Sequence, residues 1–431
     1  MAMTEVSSTD CNGEMVGGSV EPYGREGLLL VDARERVLDA IKPLQCSELV
    51  PLAAALDRVN AAAVLAPAAV PGFRASIMDG YALGQASQPA VGDRWCLRGR
   101  SAAGQPFDGV LKQGEAIRIL TGAPLPDGAG WVLPQELISV DGTSLQLVKE
   151  ASDRPWIRPE DEECRPGDLL LAAGERLGAA DLARLAGCGI ADLTVAQQPR
   201  IGLLISGDEL VPPGTARQPG AIWESNGTLL ETMLQSLGQT VYDRRVVVDQ
   251  PEALRQALND LAISCDVVVS TGGVSAGDSD WIRPLVAELG DVHFWKLFLR
   301  PGRPFAFGGL GDGVPFFGLP GNPVAAAIVG LQLLWPALQK LGGQSEPDLF
   351  PRLQVVLADP LTRRPGRPEL ARARLETQDD GTLLARVNGS QASSRIGSLQ
   401  QADLLLEIPA EAGPLECGTR LWAQLLRPRL F

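Results

Sequence analysis

The chain has 431 residues and a formal net charge of −14, from 38 Lys+Arg against 52 Asp+Glu. Apolar residues at 45% and charged residues at 21% exclude an intrinsically disordered chain, and the acidic balance excludes a general nucleic-acid binder, because phosphate contacts need a basic surface. A single histidine, His293, removes His-rich zinc and two-histidine iron sites and points any metal toward a hard cation held by carboxylates.

At about 150 residues per domain, the length implies roughly three domains. The seven cysteines form no CxxC pair and their number is odd, so reduced thiols are expected and not a disulfide framework. Residues 1–23 have neither the basic nor the apolar stretch of a signal peptide and read as a polar, disordered tail. The most apolar helical stretch, Val324 to Leu338, reads as too short to span a bilayer. With no membrane segment, a cytoplasmic location is expected.

In chain order, Val31, Leu38 and Ile41 sit at helical spacing, with Pro43 near the helix end. Residues 67–165 are punctuated by Gly and Pro between short apolar runs, which predicts a small β-rich domain. It interrupts a helix and strand linker domain made of 24–66 and 166–198. Residues 199–347 alternate strand and helix patterns: strands at 201–205, 241–248, 267–270, 292–299, 305–307 and 316–319, helices at 228–237, 251–262 and 281–289, and a last helix from Asn322-Pro323. That βαβα order predicts an α/β domain with a mostly parallel sheet covered on both faces. Residues 348–431 carry period-two runs (LQVVLA, TLLARV, DLLLEIP, RLWAQLL), which predict a C-terminal β domain.

In an open α/β sheet, ligands bind beyond the carboxyl ends of the strands. If the strands are parallel, the loops after them share one edge. Thr271, Gly272, Gly273, Val274 and Ser275 would offer glycine-exposed amides and hydroxyls to an oxyanion. Glu209, Asp249 and Asp280 would crowd three anions unless a cation joins them, which makes them candidate Mg²⁺ ligands. Lys296, Arg300 and Arg303 would supply positive charge, the arginines on a proline-stiffened turn. Structural alternatives stand beside these readings. Asp249 equally fits a helix N-cap, the Gly-Gly loop a plain turn, the arginines a solvated surface, and Pro320 and Pro323 a shaped strand-to-helix turn. His293 reads as a packing residue.

Five ordered blocks share one resemblance: SIMDGYAL (76–83), RILTGAPLPDGAGWVLPQE (118–136), GDELVPPG (207–214) with ESNG (224–227), STGGVSAGDSDWIRPLVAELGDVHFWKLFLRPGRPFAFG (270–308) and FFGLPGNPVAA (316–326). They resemble the molybdopterin molybdenumtransferase family, of the MoeA and gephyrin E-domain type. The resemblance implies an elongated, multidomain subunit that forms a homodimer. It implies insertion of molybdate into adenylylated molybdopterin, assisted by Mg²⁺, with release of AMP and molybdenum cofactor. It also implies a pocket shared between subunits, with Asp79 and Thr121 contributed by the small domain of one. Glu209, Asp249, Asp280 and Lys296 would come from the α/β domain of the other, and Arg300, Arg303, Pro320 and Pro323 would border cofactor and molybdate. Molybdopterin adenylyltransferase and proteins that load molybdoenzymes are implied as partners.

The chain departs from the family pattern in three places. Arg300 and Arg303 stand where lysines are usual, Glu163 stands where the family has Asp, and Gly130-Trp131 stands where Ala-Asp is common. Two other functions compete: a non-catalytic dimeric scaffold of the gephyrin type, and a molybdopterin adenylyltransferase. The extra domains at 67–165 and 348–431 argue against the second.

Overall fold

The computed structural model describes residues 27–274 and 281–426; the expected tail 1–23 lies outside them. The chain divides into two compact units, one of residues 27–46 with 197–426 and the other of 47–196. The segment before residue 47, which the sequence reading grouped with the linker, thus belongs with the α/β body. Helix α1 (Leu30–Ala40) explains why. Its Ala33 and Val37, four residues apart, are fully buried among side chains of the α/β core. The helix stops at Ile41, whose backbone is extended, two residues before Pro43.

The larger unit is built on β1 (Ile201–Ser206), α2 (Asn226–Ser236), β2 (Val241–Val247), α3 (Pro251–Ser264), β3 (Val267–Thr271), α4 (Ile282–Leu289), β4 (Gly290–Lys296), β5 (Pro304–Leu310), β6 (Val314–Leu319) and helix α5 (Pro323–Leu341). The six strands lie in the order β2-β1-β3-β6-β5-β4. The first four are parallel, and β5 runs antiparallel to both its neighbours. Every residue of β1 and β3 is buried, as expected for strands covered on both faces. Side chains alternate between two cores. Ile201, Leu203, Ile205, Val267 and Val269 face α1, α2 and α5, whereas Leu204 and Val268 face α3 and α4. Each such fully buried side chain contributes about 1.5–3 kcal/mol.

Helix α5 is longer than the apolar stretch read from the sequence. At 19 residues it is long and apolar enough to cross a membrane, but 89% of that span is buried inside the molecule. The core claims it. Residues Gly330–Leu334 form a π-helical turn within it. There the Gln332 carbonyl accepts from Arg34 Nε at 3.0 Å, and its side chain joins Arg34 to Gln424.

Five strands, Arg352–Leu357, Glu369–Thr377, Leu383–Val387, Leu404–Ile408 and Arg420–Leu425, close a small barrel. Four match the period-two runs. The fifth, Glu369–Thr377, escapes that pattern because its first five residues are all buried, Glu369 and Arg372 included.

In the second unit, a six-stranded sheet is made of Trp131–Pro134, Gly80–Leu83, Glu115–Ile119, Arg94–Ser101, Ser144–Leu147 and Ile138–Asp141, in that order. Beside it, Ser47–Pro51 pairs antiparallel with Asp192–Ala196, and helix Ala179–Gly187 packs Leu185 against Cys164 and Cys188. All six cysteines among the described residues are free thiols, as the sequence implied, although the Cys164 and Cys188 sulfurs lie 3.7 Å apart. The Gly130-Trp131 departure is a matched pair. A Cβ on Gly130 would sit 2.3 Å from the Gln85 carbonyl oxygen, and the buried Trp131 indole donates to the Ala86 carbonyl at 2.9 Å. Glu163 pairs with Arg184 at 2.9 Å.

Candidate active site

The carboxyl ends of β1, β2, β3 and β6 open into one cavity of about 980 Å³. Of the residues expected there, Glu209, Asp249, Thr271, Gly272, Gly273, Val274, Arg300, Arg303, Pro320 and Pro323 all line it. The parallel strands bring together loops more than a hundred residues apart in sequence.

The loop after β3 requires its glycines. Gly272 and Gly273 have φ of +94° and +61°. A Cβ on Gly272 would fall 2.6 Å from the Ser206 carbonyl oxygen, and one on Gly273 would fall 2.7 Å from Ile282. No L side chain fits, and the chain presents bare backbone to the cavity. The loop after β6 adjoins it: Thr271 Oγ1 donates to the Pro320 carbonyl at 3.1 Å.

The ESNG segment fastens the two loops, and each of three residues has a separate task. The buried Glu224 carboxylate accepts the Gly227 amide at 2.7 Å and pairs with Arg244. Asn226 Nδ2 donates to Thr271 Oγ1 at 2.9 Å and to the Gly321 carbonyl at 2.8 Å. Gly227 leaves room for Arg244, because a Cβ there would lie 2.4 Å from Arg244 Nη2.

On the opposite wall, the Arg300 backbone is stitched to the barrel. Its amide donates to the Pro368 carbonyl at 2.9 Å, and its carbonyl accepts the Leu370 amide at 2.9 Å. The Arg300 guanidinium lies 3.7 Å from Glu369, a buried carboxylate that also faces Arg363 at 3.4 Å. Gly302, at φ +116°, packs under Val329, where a Cβ would approach to 2.4 Å. The barrel adds Arg367 and the segment 391–394 to the cavity wall. The sequence reading missed these residues, along with Asn226, because their only signal is proximity through the fold.

Some expected residues lie elsewhere. Lys296, level with Pro304 at the end of β4, is not among the cavity-lining residues. Asp79 and Thr121 belong to the other unit and face each other there. The Thr121 amide and hydroxyl donate to Asp79 Oδ1 at 2.8 and 2.9 Å. The Thr121 amide first, then its hydroxyl, hold the exposed Asp79 carboxyl below the ordinary aspartate range. Ser275 and Asp280 lie outside the described residues. His293, as expected, packs edge-on against Phe307 with ring centroids 5.1 Å apart.

The donors available for a cation are oxygens. Glu209 and Asp249 line the cavity with Ser206, whose buried Oγ has no hydrogen-bond partner among the described residues. A set of this kind fits a hard divalent ion. No group of three potential ligands gathers among the described residues, and the third expected carboxylate, Asp280, is outside them. The N-cap alternative for Asp249 does not hold. Helix α3 starts at Pro251 with Gln250 as its N-cap, and no side-chain cap bond is made.

Three family models cover the chain in order: the MoeA N-terminal region (domains I and II) at 29–189, a probable molybdopterin binding domain at 202–340, and the MoeA C-terminal region (domain IV) at 354–426. The chain is 31% identical over 393 residues to the molybdopterin molybdenumtransferase of Haemophilus influenzae, spanning 91% of this chain and 96% of that one. The chain belongs to the MoeA-type molybdopterin molybdenumtransferase family. A further relative, molybdopterin molybdenumtransferase 2 of Mycobacterium tuberculosis, is 32% identical over 384 residues, covering 86% of this chain and 93% of the relative. Among solved structures, a molybdopterin biosynthesis MoeA protein from Pyrococcus horikoshii OT3 superimposes with a TM-score of 0.79 at 25% identity, covering 92% of this chain and 99% of that chain. The MoeA-type blocks quoted from this sequence therefore rest on a shared architecture as well as on spacing.

Proposed function

We propose that the chain inserts molybdate into adenylylated molybdopterin and releases AMP and molybdenum cofactor. The observation that carries this reading is one cavity, in a chain of this family, that combines glycine-exposed backbone, carboxylates and guanidinium groups. Amides of Gly272 to Val274 would hold a substrate phosphate, since bare backbone N–H groups favour oxyanions. Arg300 and Arg303 would hold molybdate, itself a dianionic substrate, through two-point contacts. Pro320 and Pro323 shape the loop that Asn226 ties to Thr271, and so keep the phosphate and molybdate positions in register.

Glu209 and Asp249, with Asp280, would hold Mg²⁺, which when bound supplies positive charge for the phosphoanhydride oxygens as the bond breaks. The protein supplies no nucleophile in this reading. Its residues orient the substrates and stabilise charge on departing AMP. Lys296 is assigned a supporting electrostatic role, outside the cavity wall. Asp79 and Thr121 would complete the site from the partner subunit of a homodimer. The product would then pass to proteins that load molybdoenzymes.

AMP release from adenylylated molybdopterin, with molybdate and Mg²⁺ present, tests the reading. Asp249→Asn and Asp280→Asn should each lower kcat/KM by roughly 100-fold. Variants as fast as wild type would remove the carboxylates from the reaction. The scaffold alternative finds a relative in Dictyostelium discoideum gephyrin, at 29% identity over 60% of that protein's length. No feature of this cavity favours it.

A further inference from the structure

Trp223 closes the short strand Ile222–Trp223, which pairs in parallel with Leu210–Val211 just beyond Glu209. Its side chain is unusual for a tryptophan. It is 47% exposed, yet held in a fixed orientation. The indole Nε1 donates to the Thr215 carbonyl at 2.9 Å, and the Arg217 guanidinium lies over the ring 4.2 Å from its centroid. Arg217 lines neither of the two cavities that the indole borders, so the guanidinium covers the ring on the side away from them.

The first of these cavities is the anion-binding one. The second, about 540 Å³, shares Trp223, Glu224 and Ser225 with it and is otherwise walled by Pro213, Gly214, Thr228, Leu229 and Ile396. Its only charged side chain, Glu224, is buried and already paired with Arg244. An uncharged apolar recess therefore opens beside a site built for oxyanions, and a pinned aromatic ring forms the corner between them. Phosphate and molybdate have no use for such a recess. A flat, uncharged ring tethered to a phosphate does.

We infer that Trp223 is the stacking platform for a planar nitrogen heterocycle of the substrate. The inference rests on the reading of the main cavity as the site for adenylylated molybdopterin, which carries two such rings, adenine and pterin. Arg217 keeps one indole face occupied, so the ring does not collapse onto the protein surface when the site is empty. The other face is left for the heterocycle, and stacking on it is sequence-tolerant chemistry that any flat π system satisfies. The contact binds the substrate and takes no part in bond breaking, so its loss raises KM and leaves kcat in place.

Calorimetric titration of the full-length protein with AMP, ribose 5-phosphate and 6-hydroxymethylpterin tests this, on wild type, Trp223→Phe and Trp223→Ala. Trp223→Ala should weaken one ring-bearing probe by about ten-fold or more while Trp223→Phe stays within about three-fold, as expected for lost and retained stacking. Ribose 5-phosphate should bind all three proteins alike, which shows that the anion site and the fold are intact. Loss confined to AMP identifies the ring as adenine, and loss confined to the pterin identifies it as pterin. Unchanged affinity for both rings, or an equal loss for ribose 5-phosphate, overturns the inference. Wild type that binds AMP but releases none from adenylylated molybdopterin fails the enzymatic reading alone, so the two failures are distinguishable.

Discussion

Asn226 and Thr271 are joined by a hydrogen bond of 2.9 Å from amide Nδ2 to hydroxyl Oγ1, and the same Nδ2 reaches the Gly321 carbonyl at 2.8 Å. Both donors of one side-chain amide are used to hold two loops, one after β3 and one after β6. The cavity owes its shape to that clamp as much as to the groups that would touch substrate.

Asn226→Ala should therefore lower kcat/KM for AMP release by roughly 10- to 100-fold, because misplaced binding loops are costly to orientation. Stability should fall by only about 1–2 kcal/mol, the scale of lost partly buried hydrogen bonds. Asn226→Asp should be at least as slow, since a carboxylate cannot donate and adds negative charge beside an anion site. Steady-state kinetics together with urea denaturation separate the two effects.

Gly272→Ala should damage the site by a different route. The added Cβ would meet the Ser206 carbonyl oxygen at 2.6 Å in a backbone at φ +94°. The strain costs about 1–3 kcal/mol and is relieved only by moving the loop. Phosphate affinity, measured with AMP or ribose 5-phosphate, should drop in this variant. Gly214→Ala is the control, because its φ is also positive but nothing lies near its Cβ.

Glu369→Ala should be among the most destabilising single changes in the barrel. Arg363 and Glu369 side chains are 2% and 4% exposed, and removal of one partner leaves a buried charge without its counter-ion, at a cost of about 3–5 kcal/mol. Glu369→Gln should cost less, since an amide oxygen still accepts from Arg363. Chemical denaturation of the three proteins gives the comparison.

Asp79 should stay ionised to a lower pH than an ordinary aspartate, because the Thr121 amide and hydroxyl both donate to it. The sign follows from linkage. A carboxyl with a depressed native pKa contributes stability that is fully present above the unfolded-state value and lost as pH falls through the native one. Thr121→Val removes the hydroxyl and keeps the amide, so the Asp79 midpoint should rise partway toward the ordinary value. Carboxyl ¹³C chemical shifts followed through acid titration measure it.

Cysteine reactivity should divide by burial. Cys46 and Cys417 are exposed, whereas Cys164, Cys188 and Cys265 are buried. Burial pushes the Cys188 and Cys265 thiols above their ordinary range, which lowers the thiolate fraction further. Peptide mapping after iodoacetamide treatment should find Cys46 and Cys417 modified in the native protein. The three buried thiols should react only after denaturation.

The α/β half of the fold was legible because physics repeats there. Apolar runs such as Ile201 to Ile205 and Val267 to Val269 are strands buried on both faces, and the glycines after them mark where a binding loop must turn. Glu369–Thr377 was illegible for the opposite reason. Its Glu369 and Arg372 point inward, where they meet Arg363 and Ser398, and a pattern that assigns charge to the outside cannot find such a strand. The site followed the same division. Residues beside strand ends, such as Glu209 and Thr271, could be read in the linear order, whereas Arg367 and Gln391 come to the cavity only because the barrel is stitched to Arg300.

The π-helical turn at Gly330–Leu334 holds one residue more than an α-helical turn would. That single residue sets the angular phase of everything after it in α5. Its removal would rotate Trp335–Leu341 by roughly 100° about the helix axis. Trp335 would leave the ring of Phe350, and Lys340 would swing away from the Leu38 carbonyl. Length polymorphism in this helix is thus confined to pairs of compensating changes, and a one-residue indel there would act on three distant segments at once.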